Sequence, residues 1–248
     1  MALAFIASAI AGTCAPLNPQ YTAAEYEFYL SDLQAKVLLL NQGDQSPAAG
    51  VARKLGIPVL DVSALIDEPA GAFSLSGPDA PSSLPSGTDQ EGQGCALVLH
   101  TSGTTSRPKL VPLTHANICE SAANIQASLG LGPSDRVLNV MPLFHIHGLI
   151  GALISSLAAG GSVICAPGFN DEKFFGWVEA LQPTWYTAVP TMHQAILKRA
   201  ADNRPIIAAH PLRLIRSCSA SLPPQLMADL RLVRRATGRR ELSPRAAP

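Results

Sequence analysis

The chain has 248 residues with 18 basic and 18 acidic side chains, and it is 47% hydrophobic but only 15% charged. That length and apolar content exclude a disordered polypeptide and predict a globular body of one to two domains. The zero net charge is uneven, because six arginines and one glutamate fall in 231–248, leaving twelve bases against seventeen acids in 1–230. An acidic body of this kind argues against a nucleic-acid partner, and a short basic end is expected to be solvated.

The five cysteines (Cys14, Cys95, Cys119, Cys165, Cys218) are widely spaced and form no C-x-x-C pair. Neither a zinc site nor a disulfide framework follows, and the expectation is reduced thiols in a cytoplasmic protein. Residues 2–17 are apolar but lack a basic leader and fall short of a ~20-residue membrane span, so a buried helix is predicted there and no membrane span. The terminal Arg-Ala-Ala-Pro carries no peroxisomal Ser-Lys-Leu address, although a longer form could be peroxisomal.

Thr22 followed by Glu25 forms a capping box ahead of Tyr26, Phe28, Tyr29 and Leu30, which predicts a helix start. Strands are predicted over 36–40 and 57–62, with a helical turn near 51–55. The proline-, glycine- and serine-rich 67–94 reads as a surface loop or linker. It separates a first α/β portion, 1–66, from a second, 95–230, with 231–248 as a basic tail. Beyond the linker, strands are expected over 95–99, 137–143, 162–166, 185–189 and 213–218. Helices are expected after Thr114, over 149–159, after the caps Asn170 and Thr191, and from Pro223. Apolar strands alternating with helices give an α/β fold of layered, mainly parallel sheets.

Leu99-His-Thr-Ser-Gly-Thr-Thr-Ser-Arg-Pro-Lys109 is the stretch richest in chemistry. Hydroxyls, a glycine and two cations leave a buried strand, where α/β proteins place ligands. Such a loop can cradle phosphate through hydroxyl and backbone donors, with Lys109 neutralising charge. No Walker-type G-x-x-x-x-G-K-[ST] occurs, and composition alone leaves a plain serine/threonine loop equally open.

The order Thr-Ser-Gly-Thr-Thr-Ser-Arg-Pro-Lys resembles the phosphate signature of AMP-forming acyl-CoA synthetases, the adenylate-forming superfamily. Met141-Pro-Leu-Phe-His-Ile-His-Gly148, Trp185-Tyr-Thr-Ala-Val-Pro-Thr191, Arg213-Leu-Ile-Arg-Ser-Cys-Ser-Ala-Ser-Leu-Pro-Pro224 and Ala15-Pro-Leu-Asn-Pro-Gln-Tyr-Thr22 resemble further family segments. Ser106, His-Ile-His at 145–147, Thr184-Trp-Tyr and Ser-Cys-Ser-Ala-Ser are most similar to the plant and fungal oxalate–CoA ligase branch. The resemblance spans about 5–230 and implies part of the large N-terminal domain of such an enzyme, truncated at both ends, without the small C-terminal domain.

The resemblance implies an ATP-dependent acid–CoA ligase using ATP, Mg2+ and CoA with a small carboxylic acid, oxalate being the acid of that branch. It assigns Thr101, Ser102, Gly103, Thr104, Thr105 and Lys109 to the ATP phosphates. Ser219, Ala220 and Ser221 fall to adenine, His145 and His147 to the acid, and no residue to a metal. From the residues alone, His145 reads rather as a satisfied core histidine, and the motif reverses that preference, while His193 and Arg216 read as a helix-surface residue and an ordinary ion-pair partner. Leu110 stands where the family carries glycine, and a positive φ there would strain the loop. The family's later magnesium-binding glutamate, ribose aspartate and adenylation lysine have no counterpart here. The alternatives are a non-catalytic nucleotide-binding or interaction fragment, or a ligase for an aromatic or fatty acid.

Overall fold

A computed structural model describes residues 1–69, 71–77, 94–101 and 108–235, in two compact units divided in the chain between Ala116 and Asn117. The first unit holds α1 (Ala2–Ala11), α2 (Ala23–Asp32), β1 (Leu38–Asn41), α3 (Ala48–Lys54), β2 (Val59–Ala64), β3 (Phe73–Ser76), β4 (Cys95–Thr101) and β5 (Lys109–Thr114). α4 (His115–Leu129) begins at the division.

The predicted capping box is formed. Thr22 Oγ1 accepts from the Glu25 amide, and Glu25 Oε2 accepts from the Thr22 amide at 2.8 Å. Two otherwise orphaned donors are thereby satisfied and α2 starts where the sequence places it. Its inner face buries Tyr26 and Leu30 against Leu38, Ala48, Val51 and Ala52. β1 and β2 run parallel, and β3 adds to β2 antiparallel. β3 lies inside the stretch expected to be loop; the short Phe-Ser-Leu-Ser alternation suits a half-buried strand but is flanked by residues that punctuate structure. Residues 70 and 78–93 of that stretch lie outside the described residues.

α1 is half-buried rather than buried. Phe5 and Ala9 face inward while Ile10 is exposed. The chain then bridges to β4, with the Cys14 amide donating to Ala96 O and Cys14 O accepting from Val98 N. β5, absent from the expected elements, pairs antiparallel with β4, from Thr101 opposite Lys109 to Cys95 opposite Thr114. Its Pro112 disguises it, since proline lacks the ladder donor and suits an edge strand.

The second unit holds β6 (Arg136–Asn139), α5 (Ile146–Gly148), a π-helical turn (Leu149–Ile154), α6 (Ser155–Ala158), β7 (Ser162–Cys165), α7 (Asp171–Leu181), β8 (Trp185–Ala188), α8 (Pro190–Ala200), α9 (Arg204–Ala209), β9 (Leu214–Ser217) and α10 (Pro224–Arg235). The expected single helix over 149–159 is thus broken into helical segments around a π turn, a feature often found at functional sites. Asn170 caps α7 as predicted, its Oδ1 accepting from the Lys173 amide at 2.9 Å. Thr191 is not a cap, because α8 starts earlier, at Pro190, with Val189 in the cap position. Pro190 fits there, where no amide donor is needed.

β6 to β9 form an all-parallel sheet in the order β7-β6-β8-β9. Alternation sends Leu138, Tyr186 and Ile215 to one face against Phe174, Phe175, Val178 and Ile196 of α7 and α8. Val137, Trp185 and Leu214 go to the other face, against Ala152 and Ala159 of the π turn and the residue following α6. The crossover out of β6 therefore covers one face and the crossovers flanking β8 cover the other. This doubly wound order has its switch point between β6 and β8, and the crevice beyond the carboxyl ends of these strands is where such sheets bind ligands.

The amino edge of this sheet is locked. Arg213, before β9, donates Nε and Nη2 to the two carboxylate oxygens of Asp135, before β6, both at 2.8 Å. Thr184, before β8, donates to Asp135 Oδ1 at 3.0 Å, and the Gly132 amide donates to Oδ2. Burial would raise the Asp135 pKa, but the hydrogen bonds from Arg213, Gly132 and Thr184 outweigh it and hold the carboxyl below its ordinary value. Asp135→Asn leaves Arg213 without its counter-charge, and urea unfolding at pH 7 is expected to show a loss of about 3 kcal/mol. A change below about 0.5 kcal/mol would show that the lock is dispensable.

Candidate active site

Register builds the site. Asn139 lies beside Thr187, and Thr187 beside Arg216, so β6, β8 and β9 present a polar row at their carboxyl ends. Two residues earlier the same face presents Val137, Trp185 and Leu214. The face thus changes from apolar to polar within one strand period. Asn139 holds the segment that follows β6, its Nδ2 donating to Gly148 O at 3.1 Å and its Oδ1 accepting from the Met141 amide at 3.2 Å.

These bonds set α5 over the row and bury His147, which is 5% exposed. His147 Nε2 lies 2.6 Å from Thr187 Oγ1, and its Nδ1 lies 3.0 Å from Ser219 Oγ. Arg216 Nη1 donates to Thr187 Oγ1 at 3.4 Å. Thr187 can accept from Arg216 and donate to His147 Nε2, which places the imidazole proton on Nδ1 and aims it at Ser219 Oγ. The serine hydroxyl proton is then free for a ligand. Ser219 itself has φ +72°, left-handed backbone that a serine adopts only under local constraint.

Burial, then the charge of Arg216, then His193 depress the His147 pKa to about 4. The imidazole is therefore neutral near pH 7 and acts as a hydrogen-bonding group rather than a cation. The unfolded chain takes up this proton near the ordinary value of 6.5 and the folded chain only near 4. The folded state thus carries fewer protons between these values, and stability is lost as pH falls through that window.

Gly151, in the π turn, lies close against the end of the Arg216 side chain. A Cβ there would sit 2.9 Å from Arg216 Nη1 and 3.3 Å from His147 Cδ2. Arg216 departs from its expected role as an ion-pair partner. Its other side-chain contact is Nη2 to Cys218 Sγ at 3.5 Å, and no carboxylate reaches it among the described residues. His193 is not on a helix surface either; it is fully buried, with Nδ1 3.0 Å from the Tyr186 hydroxyl.

Of the two histidines assigned to the acid, His147 joins the network, while His145 is exposed with its ring tilted on Phe144 at 4.6 Å. Ser219, Ala220 and Ser221 follow β9 and are exposed, and Ser219 bonds His147. In the first unit, Thr101 and Lys109 face each other at the open end of the β4–β5 pair, both exposed. Ser102, Gly103, Thr104 and Thr105 lie outside the described residues. Leu110 sits in β5 opposite His100 and is absent from the non-glycine residues with positive φ, so the feared backbone strain does not arise. His100 was not singled out from the sequence. Its buried ring lies 3.0 Å from Asp32 Oδ2 and edge-on to Tyr29, pinning the end of β4 next to Thr101. A histidine closing an apolar strand run was the available signal.

Replacing His147 with Gln gives a pH test. The stability gap between wild type and His147→Gln is expected to shift against the wild type by about 3 kcal/mol as pH falls from 6.5 to about 4. Urea titrations across that range measure it, and a gap independent of pH would contradict a buried neutral histidine.

The chain matches the AMP-binding enzyme family over residues 1–239, nine residues beyond where the sequence resemblance was expected to end. An oxalate–CoA ligase of Arabidopsis thaliana is 46% identical over 222 residues, covering 88% of this chain and 43% of the relative. One from Saccharomyces cerevisiae is 34% identical, covering 85% and 42%. A malonyl-CoA ligase ternary product complex with methylmalonyl-CoA and AMP superposes with a TM-score of 0.73 at 26% identity, covering 96% of this chain and 47% of that one. The chain therefore spans less than half the length of these relatives. The doubly wound sheet, the motifs at its carboxyl edge and a match over nearly the whole sequence agree, and the chain belongs to the AMP-binding enzyme family.

Proposed function

We propose that this chain supplies the acid- and nucleotide-binding portion of an AMP-forming CoA ligase for a small dianionic acid. The observation that carries the reading is the buried His147, linked to Ser219 and Thr187 where three parallel strands end at a switch point. Oxalate and malonate, the acids in the relatives' names, are both small dianions, and they need donors to replace lost hydration. Ser219, whose hydroxyl proton is left free because His147 donates to its oxygen, supplies such a donor, where an apolar slot for a fatty or aromatic acid would not.

In the proposed reaction the acid carboxylate attacks the α-phosphorus of ATP, forming an acyl-adenylate as pyrophosphate leaves. The CoA thiol then forms the thioester and releases AMP. The chain's residues position and neutralise. Lys109 and the hydroxyls of Thr101, Ser102, Thr104 and Thr105, with the Gly103 backbone, hold the phosphates. The backbone of Ser219, Ala220 and Ser221 flanks adenine, the Ser219 hydroxyl that His147 orients faces the acid, and the exposed His145 is assigned to the acid as well. Mg2+ is the usual companion of ATP. Among the described residues no three His, Cys, Asp or Glu side chains converge to ligate a metal, and no step is assigned through one. No helix among the described residues is long and apolar enough to cross a membrane.

Lys109→Ala is expected to weaken ATP binding about tenfold or more, as removal of a charge-assisted contact does. Calorimetry with ATP checks this, and equal affinities would remove Lys109 from the phosphate site. Exchange of labelled pyrophosphate into ATP, dependent on oxalate or malonate, tests the activity. ATP binding without exchange for any acid would favour a nucleotide-binding fragment.

A further inference from the structure

We propose that Arg216 is the receptor for the second anionic group of the acid, and that Gly151 provides the clearance its guanidinium needs. This rests on the reading that the acid lies beside His147 and Ser219.

The two arginines flanking β9 form an internal comparison. Arg213, at the amino edge, is bidentate on the buried Asp135 at 2.8 Å to each oxygen. Arg216, at the carboxyl edge, is part-buried yet meets two neutral atoms, Thr187 Oγ1 at 3.4 Å and Cys218 Sγ at 3.5 Å. A guanidinium carries five donors, and partly desolvated ones are ordinarily matched to carboxylate or phosphate. The chain pairs one arginine internally and leaves the other open at the place where the sheet order predicts a ligand.

Among the described residues the surroundings supply no counter-charge. The groups facing Arg216 from β8, β9, α5 and the π turn are the Thr187 hydroxyl, the Cys218 thiol, the neutral His147 ring and Gly151. An incoming monocarboxylate can be hydrogen-bonded by the Ser219 hydroxyl that His147 orients, which leaves the Arg216 fork unfilled. A dianion brings a second carboxylate or sulfonate, and Arg216 offers the planar fork that binds such a group bidentately. Gly151 belongs to the same device. A Cβ there would sit 2.9 Å from Arg216 Nη1, so a side chain at 151 displaces the guanidinium end. The π turn places the glycine over Arg216, which gives that local irregularity a role.

The test is calorimetric titration of the 248-residue chain with oxalate and with glyoxylate, a monoanion of similar size, at pH 7.5 and low salt. Wild type is expected to prefer oxalate by about tenfold or more. Arg216→Gln is expected to bring the oxalate-to-glyoxylate ratio to within about twofold of unity, and Arg216→Lys, which keeps the charge without the fork, to an intermediate ratio. Gly151→Ala is expected to lower the ratio as Arg216→Gln does. Circular dichroism melts confirm that each variant is folded, and His147→Ala reports on the underlying site by weakening both acids. An unchanged ratio in a folded Arg216→Gln, alongside weakening of both acids by His147→Ala, overturns the role of Arg216 and leaves the acid site standing. Failure of wild type to bind either acid overturns both.

Discussion

The register of β6, β8 and β9 is the constraint from which the site follows. Parallel pairing fixes Val137, Trp185 and Leu214 in one row and Asn139, Thr187 and Arg216 in the next row on the same face. A slip of one residue would turn the polar row onto the face packed by Phe174, Phe175 and Val178 and bury a guanidinium among apolar rings. The core therefore enforces the register, and the register enforces the site. The helical crossover after β6 completes it, because Asn139 ties Gly148 down and brings His147 and Gly151 over the row.

The two edges of the sheet divide the work. At the amino edge Asp135 collects Arg213, Thr184 and the Gly132 amide, and the Arg213 guanidinium is answered by a carboxylate. At the carboxyl edge the polar groups are linked to one another yet retain capacity for a partner: a serine proton oriented by the neutral imidazole, and an arginine that meets no carboxylate among the described residues. Rigidity on one side and unmet hydrogen-bonding capacity on the other is the arrangement expected of a preorganised binding site.

Much of this was legible from residue order. The Thr22–Glu25 capping box, the Asn170 cap and the apolar strands around Val137, Ile164, Tyr186 and Ile215 follow from local chemistry and periodicity, which the fold leaves intact. Other features depend on distant partners. β5 is recognisable through its pairing with β4, because Pro112 removes a ladder donor and masks the strand. The π turn over 149–154 lies over the Arg216 guanidinium, a neighbour remote in sequence that residue order does not reveal. Arg216 read as an ion-pair partner because isolated arginines usually are, and its lack of a carboxylate emerges only when the sheet is assembled. His193 read as a surface residue, yet it faces Tyr186 across the core.

The central claim is that the carboxyl edge of the β6–β9 sheet is the acid-binding site. The most direct measurement is a crystal structure of the chain grown with oxalate. The account predicts one carboxylate within about 3 Å of the Ser219 hydroxyl and the other bidentate on Arg216, at ordinary hydrogen-bond distances. Oxalate bound elsewhere, with the Arg216 guanidinium and the His147–Ser219 pair untouched, would contradict it.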